Sequence, residues 1–192
     1  WKQSGDSRWA LRCNPSSGNL HPTEGYAILP DLPGVRAGVY HYVSRDHCLE
    51  CRCTFSGTDI AQPARAIPSS SFCVGLTSIH WRESWKYGER AYRYCQHDVG
   101  HALASLRLAA AVLGWSARLV ESLADADLAR LLGVDRADDF ARIEPADREQ
   151  PDALLIIEPV AILGDTSPDA TNVTEFSLDW LRKAVGHGVW TG

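Results

Sequence analysis

A chain of 192 residues, 45% of them hydrophobic and 22% charged, can bury a core of its own, and its length is that of one ordinary domain. Its formal net charge of −5 offers no cationic field for nucleic acid or for an anionic membrane surface. The most apolar stretches, near residues 103–115 and 153–163, are interrupted by Arg107 and by Glu158-Pro159, and neither reaches the roughly 20 residues that cross a bilayer.

Met is absent altogether, position 1 included, so a single domain spanning residues 1–192 and lacking an N-terminal segment is expected. Six cysteines in a chain of this size do not make a disulfide scaffold, which points to a reducing cytoplasm. The cluster His47-Cys48-x-x-Cys51-x-Cys53 carries ligand types that zinc accepts. Cys51 and Cys53 nevertheless alternate with Glu50, Arg52 and Thr54, as residues of a two-faced strand do, and no second Cys/His pair follows at finger-like spacing. A strand is expected there, and no metal.

The first feature in chain order is Pro15-Ser16-Ser17-Gly18-Asn19-Leu20-His21-Pro22. Two hydroxyls, a glycine, an amide and an imidazole lie between prolines, placing donors and acceptors on a stiffened backbone that can approach a ligand closely. This suits the edge of a flat polar heterocycle. It equally describes a polar turn that holds nothing, and spacing alone does not choose between the two. Gly25-Tyr26-Ala27-Ile28-Leu29 then reads as a short buried strand ended by Pro30 and Pro33. Val39-Tyr40-His41-Tyr42-Val43 and His47-Cys48-Leu49-Glu50-Cys51 flank Ser44-Arg45-Asp46 and predict a hairpin near the surface. Residues 57–70, rich in Pro and Ser, read as a loop or a short helix, and Phe72-Cys73-Val74-Gly75-Leu76 as a strand.

From Glu89 the period changes. Val99, Leu103, Leu106, Ala110 and Leu113 recur at three- and four-residue steps and predict one long amphipathic helix ending at Gly114. A strand over 115–120 follows, then a short helix capped by Asp125 and ended by Gly133. The most strand-like run is Ala153-Leu154-Leu155-Ile156-Ile157, with Val160-Ala161-Ile162-Leu163 beyond Glu158-Pro159, and residues 176–185 suggest a last helix. Strands mixed with helices in this order point to a layered α/β or α+β fold.

Pro-Ser-Ser-x-Asn-x-His-Pro resembles the loop near the start of nitroreductase-like flavoproteins, with His21 where Gln is usual. The resemblance continues through Gly38-Val39-Tyr40-His41-Tyr42, Lys86-Tyr87-Gly88-Glu89-Arg90-Ala91-Tyr92-Arg93-Tyr94, Asp98-Val99-Gly100-His101 and Leu108-Ala109-Ala110 to Leu113-Gly114, and covers roughly residues 10–135. Together these motifs look like the SagB-type branch, which includes dehydrogenases that oxidise azolines to thiazoles and oxazoles in modified peptides.

The resemblance implies an α+β fold whose central mixed, largely antiparallel sheet is flanked by helices. It also implies FMN as cofactor, NAD(P)H as an electron donor in some members, a small-molecule or modified-peptide substrate, and a homodimer or fused pseudo-dimer. Carried over residue by residue, it sets Ser16, Ser17, Gly18, Asn19 and His21 along the flavin and gives Lys86 and Tyr87 a proton-removing role. As residues alone, Lys86 and Tyr87 equally suit a solvated helix face. The Arg-rich segment that meets the flavin phosphate in relatives has no counterpart before Pro15, where Arg8 and Arg12 stand without that pattern. Arg90 and Arg93 are read either as ion-pair partners of Glu89 and Asp98 or as phosphate ligands, and His101 as a packing residue. Trp81, Trp85, Tyr92 and Tyr94 are read as an aromatic wall or as core. A broad-specificity NAD(P)H-dependent nitro or quinone reductase and a catalytically silent scaffold half are the competing functions.

Overall fold

Lys2–Ser4 (β1) and Ser7–Trp9 (β2) pair as a small exposed hairpin set apart from the main sheet. The structure, a computed structural model, describes residues 2–9, 11–55, 71–160 and 178–191. The main strands are Thr23–Leu29 (β3), Gly38–Val43 (β4), Cys48–Thr54 (β5) and Phe72–Ser78 (β6). Two helices follow, Trp81–Tyr87 (α1) and Ala91–Val112 (α2), and then Trp115–Leu119 (β7). The described elements end with Asp125–Leu132 (α3), Gln150–Pro159 (β8), Leu178–Gly186 (α4) and Val189–Trp190 (β9).

Seven strands form one sheet in the order β7-β8-β6-β3-β4-β5-β9. The expected α+β fold with a largely antiparallel sheet is present, and every strand pair among the described residues is antiparallel. The sheet is buried on both faces because its central strands alternate two apolar sets. Leu154 and Ile156 of β8 join Tyr26, Ile28, Val39 and Cys73 in a cluster with Leu128, Leu131 and Leu132 of α3 and Leu181 and Val185 of α4. Ala153, Leu155 and Ile157 face the other way and meet Val99, Ala102 and Ala110 of α2. The result is a three-layer α+β arrangement with α2 on one face and α3 and α4 on the other.

The expected hairpin is β4–β5. The cysteines lie along β5, with Cys53 fully buried, its thiol pushed up to about 12 by burial and then by Cys51. The long helix starts at Ala91 rather than Glu89. Leu113, placed by its period in the apolar stripe, lies past the helix end and is 74% exposed. Asp125 does not cap α3: the N-cap is Ala124, and Asp125 is the first helical residue, where its charge favours the positive end of the helix dipole. Gly133 ends α3 as expected, in the left-handed region at φ +74°. Residues 57–70, Ala161-Ile162-Leu163 and the start proposed for the last helix at 176–177 lie outside the described residues.

Candidate functional site

The loop 15–22 leads directly into β3 and is held in shape by its own polar groups. Ser16 Oγ accepts the His21 backbone N–H at 2.8 Å, and the Asn19 N–H donates to the Ser16 carbonyl at 3.1 Å. His21 Nε2–H donates to Asn19 Oδ1 at 2.8 Å. Three of the loop's eight residues have left-handed backbone: Gly18 at φ +62°, Asn19 at +59° and His21 at +50°. For Asn and His such backbone costs of order 1 kcal/mol or more, and the internal hydrogen bonds together with the bracing described next keep it there. The bracing comes from Arg12 and Arg82, which each donate to the His21 carbonyl at 3.0 Å, and from His101, whose Nδ1–H donates to the Pro15 carbonyl at 3.1 Å.

The loop meets the Lys86-Tyr87 dipeptide at Gly18. A Cβ on Gly18 would lie 2.6 Å from Lys86 Nζ and 2.7 Å from Tyr87 OH. Two motifs separated by 68 residues from Gly18 to Lys86 therefore share one point in space; the left-handed backbone favours glycine there, and a side chain would have to displace the tips of Lys86 and Tyr87. Lys86 and Tyr87 end α1, where Gly88 at φ +57° stops the helix. Tyr87 packs edge-on against Tyr94 of α2 at 4.7 Å between ring centroids.

Beneath the dipeptide lie Glu83 and Asp98, both with 0% exposure and with no hydrogen-bond partner on any carboxylate oxygen. Burial first, and then repulsion from Asp98, push the Glu83 carboxyl above its ordinary range, with Lys86 opposing. His21 Nδ1 is likewise buried and unpartnered, and burial together with Arg12 holds the imidazole below its ordinary value. With Nε2–H committed to Asn19, Nδ1 presents a lone pair.

Sequence reasoning missed the ion-pair network that anchors the loop. Glu24 of β3, 7% exposed, accepts from Arg82 and from His41 Nε2–H, the latter at 3.0 Å, and lies 3.9 Å from Arg12. Arg12 also donates to Ser44 Oγ at 2.7 Å. Its guanidinium is thus committed to the loop and its anchors. Arg90 and Arg93 are exposed and, among the described residues, pair with neither Glu89 nor Asp98. Trp81, Trp85 and Tyr92, 47%, 68% and 66% exposed, are not core.

His41 sits among Glu24, Glu149 and Glu50, and its hydrogen bond to Glu24 raises its pKa against the opposing effect of burial. Its contribution to stability is full below the ordinary histidine value of 6.5 and is lost as pH rises through the raised folded value. For Glu24, burial alone would raise the carboxyl, but His41 and then Arg82 bring it below its ordinary 4.5. That contribution is present above 4.5 and lost as pH falls through the lowered folded value. The wild-type thermal midpoint is expected to fall on both sides of this window. In His41→Gln the alkaline fall should disappear, and an equally steep alkaline limb in that variant would refute the assignment.

A separate cavity of about 440 Å³ opens between β3 and α2, lined mainly by apolar side chains such as Leu11, Ala27, Leu76 and Leu106. None of the predicted site residues lines it. No helix among the described residues is long and apolar enough to cross a membrane. No group of three His, Cys, Asp or Glu among them could hold a metal.

A seven-stranded antiparallel sheet between helical layers, with a strained polar loop at the start of a central strand, is the nitroreductase-like α+β fold. Residues 62–143 match the nitroreductase family, a stretch that contains Lys86, Tyr87 and α2 and stops short of the loop 15–22. The trifolitoxin-processing protein TfxB of Rhizobium leguminosarum bv. trifolii is 38% identical over 109 residues, which are 52% of this chain and 29% of that protein. MJ1384 of Methanocaldococcus jannaschii, a candidate nitroreductase, is 27% identical over 124 residues, 62% of this chain and 63% of its own length. Among solved structures, a candidate nitroreductase from Anabaena variabilis superposes with a TM-score of 0.55 at 27% identity, over 77% of this chain and 29% of that one. The E. coli microcin synthetase McbBCD complex, with truncated pro-MccB17 bound, shares the fold at a TM-score of 0.56 and 20% identity, over 81% of this chain and 57% of the other. The chain thus spans less than two thirds of the length of each of these relatives.

Proposed function

We propose that this chain forms one wall of an FMN-dependent oxidoreductase site and that its reaction is the oxidation of azolines in a modified peptide. The observation that carries this reading is the meeting of Gly18 with Lys86 Nζ and Tyr87 OH. The residues present fit the polar edge of a flavin. The orphaned, buried His21 Nδ1 can accept from a ring N–H, while Ser17 and the Asn19 amide can donate to ring carbonyls. Ser16 and Asn19 also shape the loop, and Gly18 lets its backbone come close. FMN, when bound, would supply the acceptor for a hydride leaving the substrate.

Lys86 or Tyr87 takes the proton from the carbon adjacent to the one losing hydride, so that a ring double bond forms. Glu83, buried with its carboxyl held above its ordinary range, lies three residues before Lys86 in the same helix. The similarity to TfxB supports a peptide substrate. The likeness to MJ1384 and to the Anabaena protein supports the second reading, an NAD(P)H-dependent nitro or quinone reductase. A homodimer or fused pseudo-dimer completes either site. Trp85, Leu108, Val112 and Leu113, exposed on and beside α1 and α2, are the surface it would cover. Six free cysteines suit the cytoplasm.

The two readings separate in one anaerobic experiment on the FMN-loaded full-length protein. Bleaching of the flavin's visible absorption by an azoline-bearing peptide supports the dehydrogenase. Oxidation of NAD(P)H by a nitroaromatic or quinone, with no response to the peptide, assigns the reductase instead.

A further inference from the structure

A second polar site lies at the same end of the sheet. β3 begins at Thr23 opposite Ser78, and β8 begins at Gln150 opposite that same Ser78. Between the start of β8, the first turns of α2 and the start of α3 is a cleft of about 460 Å³ lined by His80, Tyr92, Gln96, Asp125, Gln150 and Asp152 among others.

Its polar groups are incompletely paired. Asp152 Oδ1 accepts from Gln96 Nε2 at 3.3 Å and the Ser78 hydroxyl lies beside the same carboxyl, but Asp152 Oδ2 and His80 Nε2 are buried without a hydrogen bond of full geometry. A buried carboxylate oxygen without a donor is unfavourable, and a group left in that condition calls for a ligand or another specific explanation. Tyr92 stacks on His80 at 5.9 Å with the rings 20° apart, and at 66% exposure offers an open aromatic surface. No lysine or arginine lines the cleft.

We propose that this cleft binds a guanidinium or ammonium group, with Asp152 as its anchor, Asp125 as a second negative charge and the Tyr92 ring as a flat wall. Two carboxylates repel an anion, and a neutral donor leaves the second charge unanswered. A planar guanidinium can give two N–H bonds to one carboxylate and lie against an aromatic ring at the same time. Burial pushes the Asp152 carboxyl above its ordinary range, and a cation set against it brings it back.

The cleft lies close to the proposed reaction site. His80 precedes α1, and the seven residues of α1 rise about 10 Å to Lys86 and Tyr87. On the function proposed above, a basic side chain a few residues from the reacting ring of a peptide would dock here and set its register. The cation site itself does not depend on that function.

Binding to the full-length protein is measured by calorimetry with N-acetyl-arginine methylamide, guanidine, butylamine and, as an anionic control, N-acetyl-glutamate methylamide. Saturable binding of the cations and none of the glutamate is expected, weakened about tenfold in Asp152→Asn and several-fold in Tyr92→Ala, as loss of a bidentate charged pair and of a cation–π contact predicts. The blocked arginine binding more tightly than guanidine identifies a peptide-borne group, and equal affinities identify a free cation. Tyr92 is exposed, so its variant remains informative if Asp152→Asn fails to fold. Absence of saturable cation binding, equal binding of the glutamate, or wild-type affinity in a folded variant of Asp152 or Tyr92 overturns the proposal. Arginine binding by a protein that takes up no FMN would refute the function proposed above and leave this site standing.

Discussion

Lys86→Ala is expected to lower turnover of the FMN-loaded protein by about 10²–10⁴, the usual contribution of a positioned acid or base, while leaving thermal stability almost unchanged. The two effects separate because Lys86 is exposed and contributes no core packing. Its ammonium lies 5.3 Å from the Tyr87 ring centroid and forms no ion pair among the described residues. Surface substitutions of this kind usually alter stability by no more than about 0.5 kcal/mol. Tyr87→Phe keeps the edge-on packing against Tyr94 and removes only the hydroxyl, so it isolates the proton-handling atom from the ring. A fall in kcat with little change in KM is expected in both variants. Wild-type kcat in both would remove the catalytic role from this dipeptide.

Gly18→Ala is expected to weaken FMN binding and to cost roughly 10²-fold in turnover, the scale set by misplacing catalytic groups by about 1 Å. Two costs combine at this position. A left-handed backbone disfavours any residue with a Cβ by about 1–2 kcal/mol. The new methyl must also displace Lys86 Nζ and Tyr87 OH, which would stand 2.6 and 2.7 Å from it. Gly5→Ala provides the control, because Gly5 has φ +57° and nothing within 4 Å of an added Cβ. Gly5→Ala should therefore lose a similar amount of stability and keep full activity. Equal activity in the two variants, measured beside their melting curves, would show that the contact at Gly18 has no functional weight.

The parts of the fold that announced themselves in the sequence are those stabilised by local pattern. The α2 stripe repeats the period that burial on one face requires, while β8 is a short continuous apolar run of the kind that burial on both faces requires. Leu113 shows the limit of that logic. Its spacing continues the stripe, but the helix has already ended at Val112 and the side chain is left in solvent. β9 is two residues long and gains its place by pairing with Cys53 and Thr54, about 136 residues earlier, so no local pattern could reveal it.

The site divides in the same way. Loop 15–22 and Lys86-Tyr87 could be recognised as strings, but their contact at Gly18 could not. The network that braces the loop joins Glu24 to His41 across 17 residues and to Arg82 across 58, distances at which charge patterning along a helix or strand carries no information. Arg12 was visible only as an arginine lacking the pattern of a phosphate ligand. The structure gives it a different task, tying the His21 carbonyl to Ser44. Glu83 and Asp98 were hidden for a related reason: each is an ordinary polar residue of its own helix, and only the packing of α1 on α2 makes them a buried pair.

The most direct test of the flavin wall is the wild-type arm of the FMN titration used for Gly18→Ala, performed on the full-length protein and followed by visible absorption and flavin fluorescence. Saturable binding with a shifted flavin absorption band, weakened in Gly18→Ala and retained in Gly5→Ala, is the predicted result. A protein that leaves the free-flavin spectrum and fluorescence unchanged at saturating FMN would contradict it.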